Sequence, residues 1–152
     1  MRGSQFIKGD FKWDKKWKFN NKKSTKRYYK LPIIEAYISP IKKDPSIFRS
    51  NSKFLLDSGA TISILNNSYN DFLETISSID EVEIQYGSGS VKHLKVYELN
   101  LSLNRITRKM TFAHDPNLEH SSLLGYHDFF EQFSIIVFNN KEQLIKIRAY
   151  EN

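Results

Sequence analysis

Phe54-Leu55-Leu56-Asp57-Ser58-Gly59-Ala60-Thr61-Ile62-Ser63-Ile64-Leu65, residues 54–65, is the stretch on which the reading of this chain turns. Phe54 to Leu56 reads as a strand entering a core, and Ile62, Ile64 and Leu65 read as a second apolar segment. Between them stands an acid followed by small residues. A carboxylate in such a place must be partnered, protonated or functional, because burying an unpaired charge is costly. Gly59 lets the backbone turn tightly and leaves space beside the carboxylate. Ser58 offers a hydroxyl to neighbouring backbone groups. A loop of this build can present Asp57 to a second carboxylate. Two acids about 3 Å apart share one proton, so that one serves as base towards a water and the other as acid towards a carbonyl oxygen. The plain alternative is a turn acid that caps its own backbone.

Working outward, Leu31–Ile41 is strand-like with Pro32 at its start, where proline is tolerated. The polar segment from Lys42 to Ser52 reads as a loop, and Lys53–Leu56 as the next strand. Asn70–Ile79 is the helix candidate, with Asn70 or Asp71 as cap and Phe72, Leu73 and Ile76 on one side. Val82, Ile84 and Tyr86 alternate and predict a strand, Gly87–Ser90 a turn, and Leu94, Val96, Leu99, Leu101 and Leu103 a further strand. Arg108–Asp115 is a short strand. Ser121–Leu124 is apolar and turns at Gly125 into a short helix, with Asp128 as its starting residue. Phe133–Tyr150 predicts a hairpin across Asn139-Asn140. The body is therefore mostly β with one or two short helices.

Composition bounds the alternatives. The chain has 152 residues, of which 39% are hydrophobic and 14% aromatic, which argues for one folded domain. There is no cysteine, so disulfides, thiolate metal sites and cysteine nucleophiles are excluded. No apolar run approaches the ~18–20 residues that span a bilayer, and no apolar leader is visible, so the expectation is a cytoplasmic protein without membrane contact. Residues 1–30 carry eleven Lys/Arg and two Asp, whereas the remainder is mildly acidic. Two parts of unequal character follow: a basic aromatic arm, 1–27, and a body, 28–152, that forms the domain. In the arm, lysines interleave with Phe6, Phe11, Trp13, Trp17 and Phe19, a pattern suited to phosphates and stacked bases. The same residues suit an arm whose rings dock on the body or on a partner subunit. His93, His114, His120 and His127 have no ligand-like spacing, so no metal and no cofactor is expected.

Three segments in order carry a family resemblance: Asp57-Ser58-Gly59-Ala60-Thr61, Ile84-Gln85-Tyr86-Gly87-Ser88-Gly89-Ser90, and Leu123-Leu124-Gly125-Tyr126-His127-Asp128-Phe129-Phe130. The first resembles the Asp-Thr/Ser-Gly signature of retropepsin-like aspartic proteases. The second is similar to the flap hairpin of pepsin-like enzymes, and the third to the apolar-apolar-Gly segment near the end of each lobe. The resemblance covers residues 31–150. It implies a closed β barrel of the acid-protease lobe type with one or two short helices. Asp57 would be the catalytic acid, supported by Ser58 and Thr61 in the active-site loop. Gly59 and Ala60 would line the substrate cleft, and Tyr86, Gly87, Ser88 and Gly89 would form the flap that closes over a peptide. Viral members usually have Arg after the glycine of the third segment, where Tyr126 and His127 stand here. The Phe129-Phe130 pair is closer to prokaryotic retropepsin-like proteins.

Because the chain holds one such Asp, the resemblance implies a homodimer active about a two-fold axis, with Asp57 from each subunit. The final hairpin would supply interface strands, with Ile145 of its last strand expected to bear on dimerisation. The expected function is a homodimeric aspartic endopeptidase acting on peptide or protein. Its rivals are a peptide-binding module of the same fold, and a retroelement polyprotein fragment whose basic arm binds nucleic acid.

Overall fold

The computed structural model describes residues 11–12, 14–18, 27–42, 50–103, 106–139, 141–142 and 144–150, with side chains from residue 31 onward. The aromatic and lysine side chains of the arm, and most of the loop expected over 42–52, lie outside the described residues.

The strands in chain order are β1 (Phe11–Lys12), β2 (Asp14–Lys18), β3 (Arg27–Leu31), β4 (Ile33–Pro40), β5 (Ser50–Leu56), β6 (Ile64–Leu65), β7 (Asp80–Gln85), β8 (Val91–Leu103), β9 (Ile106–His114), β10 (Ser122–Leu124), β11 (Phe133–Asn139) and β12 (Leu144–Ala149). β4, β5, β10, β6, β9 and β8 hydrogen-bond in that order, and β4 also pairs with β8, so these six strands close a barrel. β7 extends the sheet outward from β8, antiparallel to it, with Gln85 opposite Val91. β11 and β12 form a hairpin to which the backbone of β1 adds a third strand, and β2 pairs with β3.

The strands follow from the residues that line them. β4 buries Ile34, Ala36 and Ile38 on one face, as period-two alternation requires. β8 runs unbroken for 13 residues, yet its alternation changes phase between Val96 and Tyr97. Leu94 packs in a small cluster with Ile64 and Ala113, whereas Tyr97, Leu99, Leu101 and Leu103 belong to the main core with Phe54, Leu65, Phe112 and Leu124. One strand thus serves two apolar surfaces: its first half backs the site, and its second half closes the barrel.

Several local expectations need correction. The helix over 70–79 is four residues long, Asn70–Leu73, and follows a 3-10 turn at Asn67–Tyr69. The cap is Asn66, whose side chain accepts from the Ser68 N–H, and neither Asn70 nor Asp71. Tyr69 and Leu73, four residues apart, are the buried anchors, and Tyr69 lies against Phe54 with ring centroids 6.3 Å apart. The helix expected after Gly125 is a turn followed by a 3-10 element at Phe130–Gln132. In the last hairpin Asn139 is still paired in the strand, opposite Leu144, and so is not a turn residue. An irregularity between Phe133 and Ile135 resets the register, turning Ile135 and Val137 outward and Ile136 and Phe138 inward. Ile145 is fully buried and faces the core, so it is not an exposed interface position.

Candidate active site

The site is built where β5 ends. Phe54 and Leu56 are buried; Asp57 is half-exposed, the first residue beyond the strand. β10, distant in sequence, is inserted between β5 and β6, the two strands that the Asp57 loop connects: it runs parallel to β5 and antiparallel to β6. The Asp57 N–H donates to the Leu124 carbonyl at 3.0 Å. The loop bends back at once, with the Ala60 N–H on the Asp57 carbonyl at 3.1 Å and the Gly59 N–H on Asp57 Oδ1 at 3.0 Å. A Cβ at Gly59 would sit 3.3 Å from that oxygen, so glycine leaves the carboxylate uncrowded.

The segment after β10 clamps the loop from behind. The N–H groups of Tyr126 and His127 donate to the carbonyls of Ala60 and Thr61 at 2.8 and 3.0 Å. The Gly125 N–H donates to Ser63 Oγ at 2.9 Å. Any side chain at 125 is excluded: a Cβ there would lie 2.4 Å from the carbonyl carbon and oxygen of Ile62. Asp128 is not a helix start. Its carboxylate accepts from the Ser63 N–H at 2.7 Å and from Thr111 Oγ1 at 2.6 Å, tying the loop to β9.

The hairpin expected to form a flap stands opposite. β7 and β8 are joined by a tight turn in which the Gly89 N–H donates to the Tyr86 carbonyl at 2.8 Å and the Tyr86 N–H to the Ser90 carbonyl at 2.9 Å. Gly89 has φ 86°, the left-handed conformation that three-residue hairpin loops ask of their last residue. Gly87 has ordinary backbone geometry, and a Cβ there would meet nothing within 4 Å, so only one of the two glycines is needed for the turn itself.

Between loop and flap lies a cavity of about 510 Å³. Of the residues singled out in the sequence, Asp57, Gly59, Ala60, Thr61, Tyr86 and Gly87 line it together, although Tyr86 is 29 positions from Asp57. Ser58, Ser88 and Gly89 are exposed and do not line it. The remaining wall is mostly apolar, from Ile62, Ile64, Val82, Ile84 and Leu123. Its second acid, Glu83, is 63% exposed and lies 3.5 Å from His93 across the hairpin.

Sequence reasoning missed Asp115. It is 1% exposed, just beyond β9. Its Oδ2 accepts from the Tyr86 hydroxyl at 2.7 Å and from Lys92 Nζ at 2.9 Å, and its Oδ1 from the Asn117 N–H at 3.0 Å. Burial pushes the carboxyl up, but these hydrogen bonds and the Lys92 charge outweigh it and hold the group below the usual carboxylate value. Burial and the same carboxylate push the Tyr86 phenol well above its ordinary value. The only local signal was the Asp115-Pro116-Asn117 turn pattern; that its acid meets the β7–β8 hairpin is settled by pairing between β8 and β9. Ser63 and Thr111 were missed for the same reason. Among the described residues no cluster of His, Asp and Glu has the arrangement of a metal site, and no helix is long and apolar enough to cross a membrane.

No protein-family model matches this sequence, and no curated protein matches it. Among solved structures, it is similar to a retropepsin-like aspartic protease from Rickettsia conorii, with a TM-score of 0.55 and 14% sequence identity, covering 91% of this chain and 96% of that one. The closed barrel, the strand inserted behind the Asp57 loop and the hairpin facing it are thus the fold of a retropepsin-like aspartic protease lobe.

Proposed function

We propose that this chain is half of an aspartic endopeptidase, completed when a second copy brings its own Asp57 to the first. The observation that carries the reading is that Asp57, at the mouth of a strand, lines one cavity with the flap segment. The Gly59 N–H donates to the Asp57 carboxylate, and residues 125–128 hydrogen-bond to the loop that carries it. In the pair, one carboxylate takes a proton from a bound water as the water oxygen bonds to the scissile carbonyl carbon. The other gives its proton to the carbonyl oxygen. The tetrahedral diol then collapses: the carboxyl that took the water's proton passes it to the amine nitrogen as the C–N bond breaks, the other carboxylate takes a proton from one diol hydroxyl, and the product carboxyl group forms. Ser58 and Thr61 support the loop, Gly59, Ala60, Tyr86 and Gly87 border the peptide from the cavity wall, and Ser88 and Gly89 belong to the exposed tip that would close over it. The apolar wall suits a substrate with a large apolar side chain beside the scissile bond, since burying such a group contributes about 1.5–3 kcal/mol.

Asp57→Asn tests this. Asn keeps the shape and loses the shared proton, so peptide hydrolysis should fall by at least about 10³-fold while the variant still folds and self-associates. Turnover near that of the unaltered chain would refute the assignment. The pH–rate profile should be bell-shaped, with both limbs belonging to the pair.

A further inference from the structure

The flap of this chain is fastened by a buried carboxylate. Tyr86 directly follows the last residue of β7 and Lys92 lies at the second position of β8, so the two residues stand on opposite sides of the hairpin turn. Both donate to the same oxygen of Asp115, at 2.7 and 2.9 Å, and Lys92 Nζ also lies 5.3 Å from the centroid of the Tyr86 ring. Asp115 is itself fixed: its N–H donates to the Leu65 carbonyl at 3.0 Å, and its carbonyl accepts from the Leu118 N–H at 3.2 Å. That turn belongs to the barrel wall, not to the hairpin.

From this geometry we infer that Asp115 is a positioning residue that anchors the flap over Asp57, leaving only the tip, residues 87–90, free to move. The inference rests on the peptidase reading for its kinetic consequence, not for its structural one. Asp115 does not line the cavity; Tyr86 does. It therefore acts through Tyr86, by holding that ring against the cavity wall with its hydroxyl turned away from the peptide. A flap held in place is already in the binding-competent arrangement, and a loosened flap lowers apparent affinity by the fraction of time it spends elsewhere. The carboxylate's lowered pKa keeps it charged in mildly acidic solution, where a carboxylate pair holds a single proton.

Tyr86→Phe removes one hydroxyl and Lys92→Met one ammonium; both leave the Asp115–Asn117 bond in place. In the full chain, amide hydrogen exchange at residues 84–92 should rise about tenfold in either variant, since each loses a hydrogen bond to a charged group, while exchange in β9 stays unchanged. In a peptidase assay, KM should rise more than kcat falls, and Lys92→Arg should restore most of the loss. Exchange equal to that of the unaltered chain in both variants would overturn the anchor, as would faster exchange with no rise in KM. If the unaltered chain cleaves no peptide, the peptidase reading fails by itself, and the exchange comparison still decides whether Asp115 holds the flap.

Discussion

At Gly125 and Gly89 two hydrogen atoms do work that no other side chain could do, for different reasons. Gly125 lets the segment after β10 come within van der Waals contact of the Ile62 backbone, from which an added Cβ would be 2.4 Å away. Gly125→Ala must push the clamp off the Asp57 loop, and should cost about 1–3 kcal/mol or more in denaturant unfolding, together with activity. Gly89 answers to conformation: at φ 86° an alanine is strained by about 1–2 kcal/mol, whereas Gly87→Ala should stay within about 0.5 kcal/mol. Measured side by side, these three variants separate close approach, backbone strain and mere exposure. Because Gly87 has no conformational duty, Gly87→Val tests only whether the tip comes near the substrate; turnover should drop while stability holds, and unchanged turnover would place the tip away from the peptide.

At the scale of elements, the contact between β9 and the short helix carries a pH dependence. His114, at the end of β9, shares a hydrogen bond with Asn70 between Nε2 and Oδ1 at 2.8 Å and meets Tyr97 edge to face. Burial lowers its pKa below the ordinary 6.5, more than the neighbouring Asp115 charge raises it. The unfolded chain therefore binds a proton that the folded chain resists, so stability is fully present above pH 6.5 and declines as the pH falls from there towards the lowered folded value. Asp115 acts in the same sense at lower pH: its lowered pKa stabilises the fold above the ordinary carboxylate value of 3.8, and that contribution is lost as the pH falls through the folded value. Denaturation midpoints measured between pH 4 and 8 should fall on the acid side, and His114→Gln should flatten the part near pH 6. A His114→Gln profile parallel to that of the unaltered chain would assign the slope elsewhere.

For the whole molecule, a cavity walled by one Asp57 is half of the proposed catalytic pair, so specific activity should rise with protein concentration until association is complete. The outer face of the last hairpin offers Ile135 and Val137, 39% and 40% exposed, for such contact. Val137→Asp should weaken self-association in sedimentation and shift the activity curve to higher concentration. Ile145→Asp should instead unfold the chain, because it places a charge at a fully buried position. Deleting residues 1–27 removes β1, β2 and the first residue of β3 but none of the six barrel strands, so the remainder should fold with a single cooperative transition. Loss of that transition would make the arm part of the fold.

Much of this was already legible in residue order. An apolar strand ending in Asp-Ser-Gly, the period-two runs of β4, β7 and β8, and a Gly-Ser-Gly turn are local facts, governed by side-chain alternation and by backbone freedom at glycine. The chain's own chemistry therefore pointed to Asp57 and to the hairpin facing it. What tertiary structure alone decided is non-local. β10 enters between β5 and β6 because its apolar face and its glycine fit a gap made by residues some 60 positions earlier, as the 62-residue separation of Gly125 and Ser63 shows. Asp128 reads locally as a helix cap and becomes a loop clamp only once β9 lies beside it. Asp115 reads as an ordinary turn acid until β8 and β9 pair, with Lys95 opposite His114, and carry the start of β8 and the end of β7 over it. Hydrogen bonds of that kind depend on which strands become neighbours, and strand neighbours are chosen by the burial of the whole core.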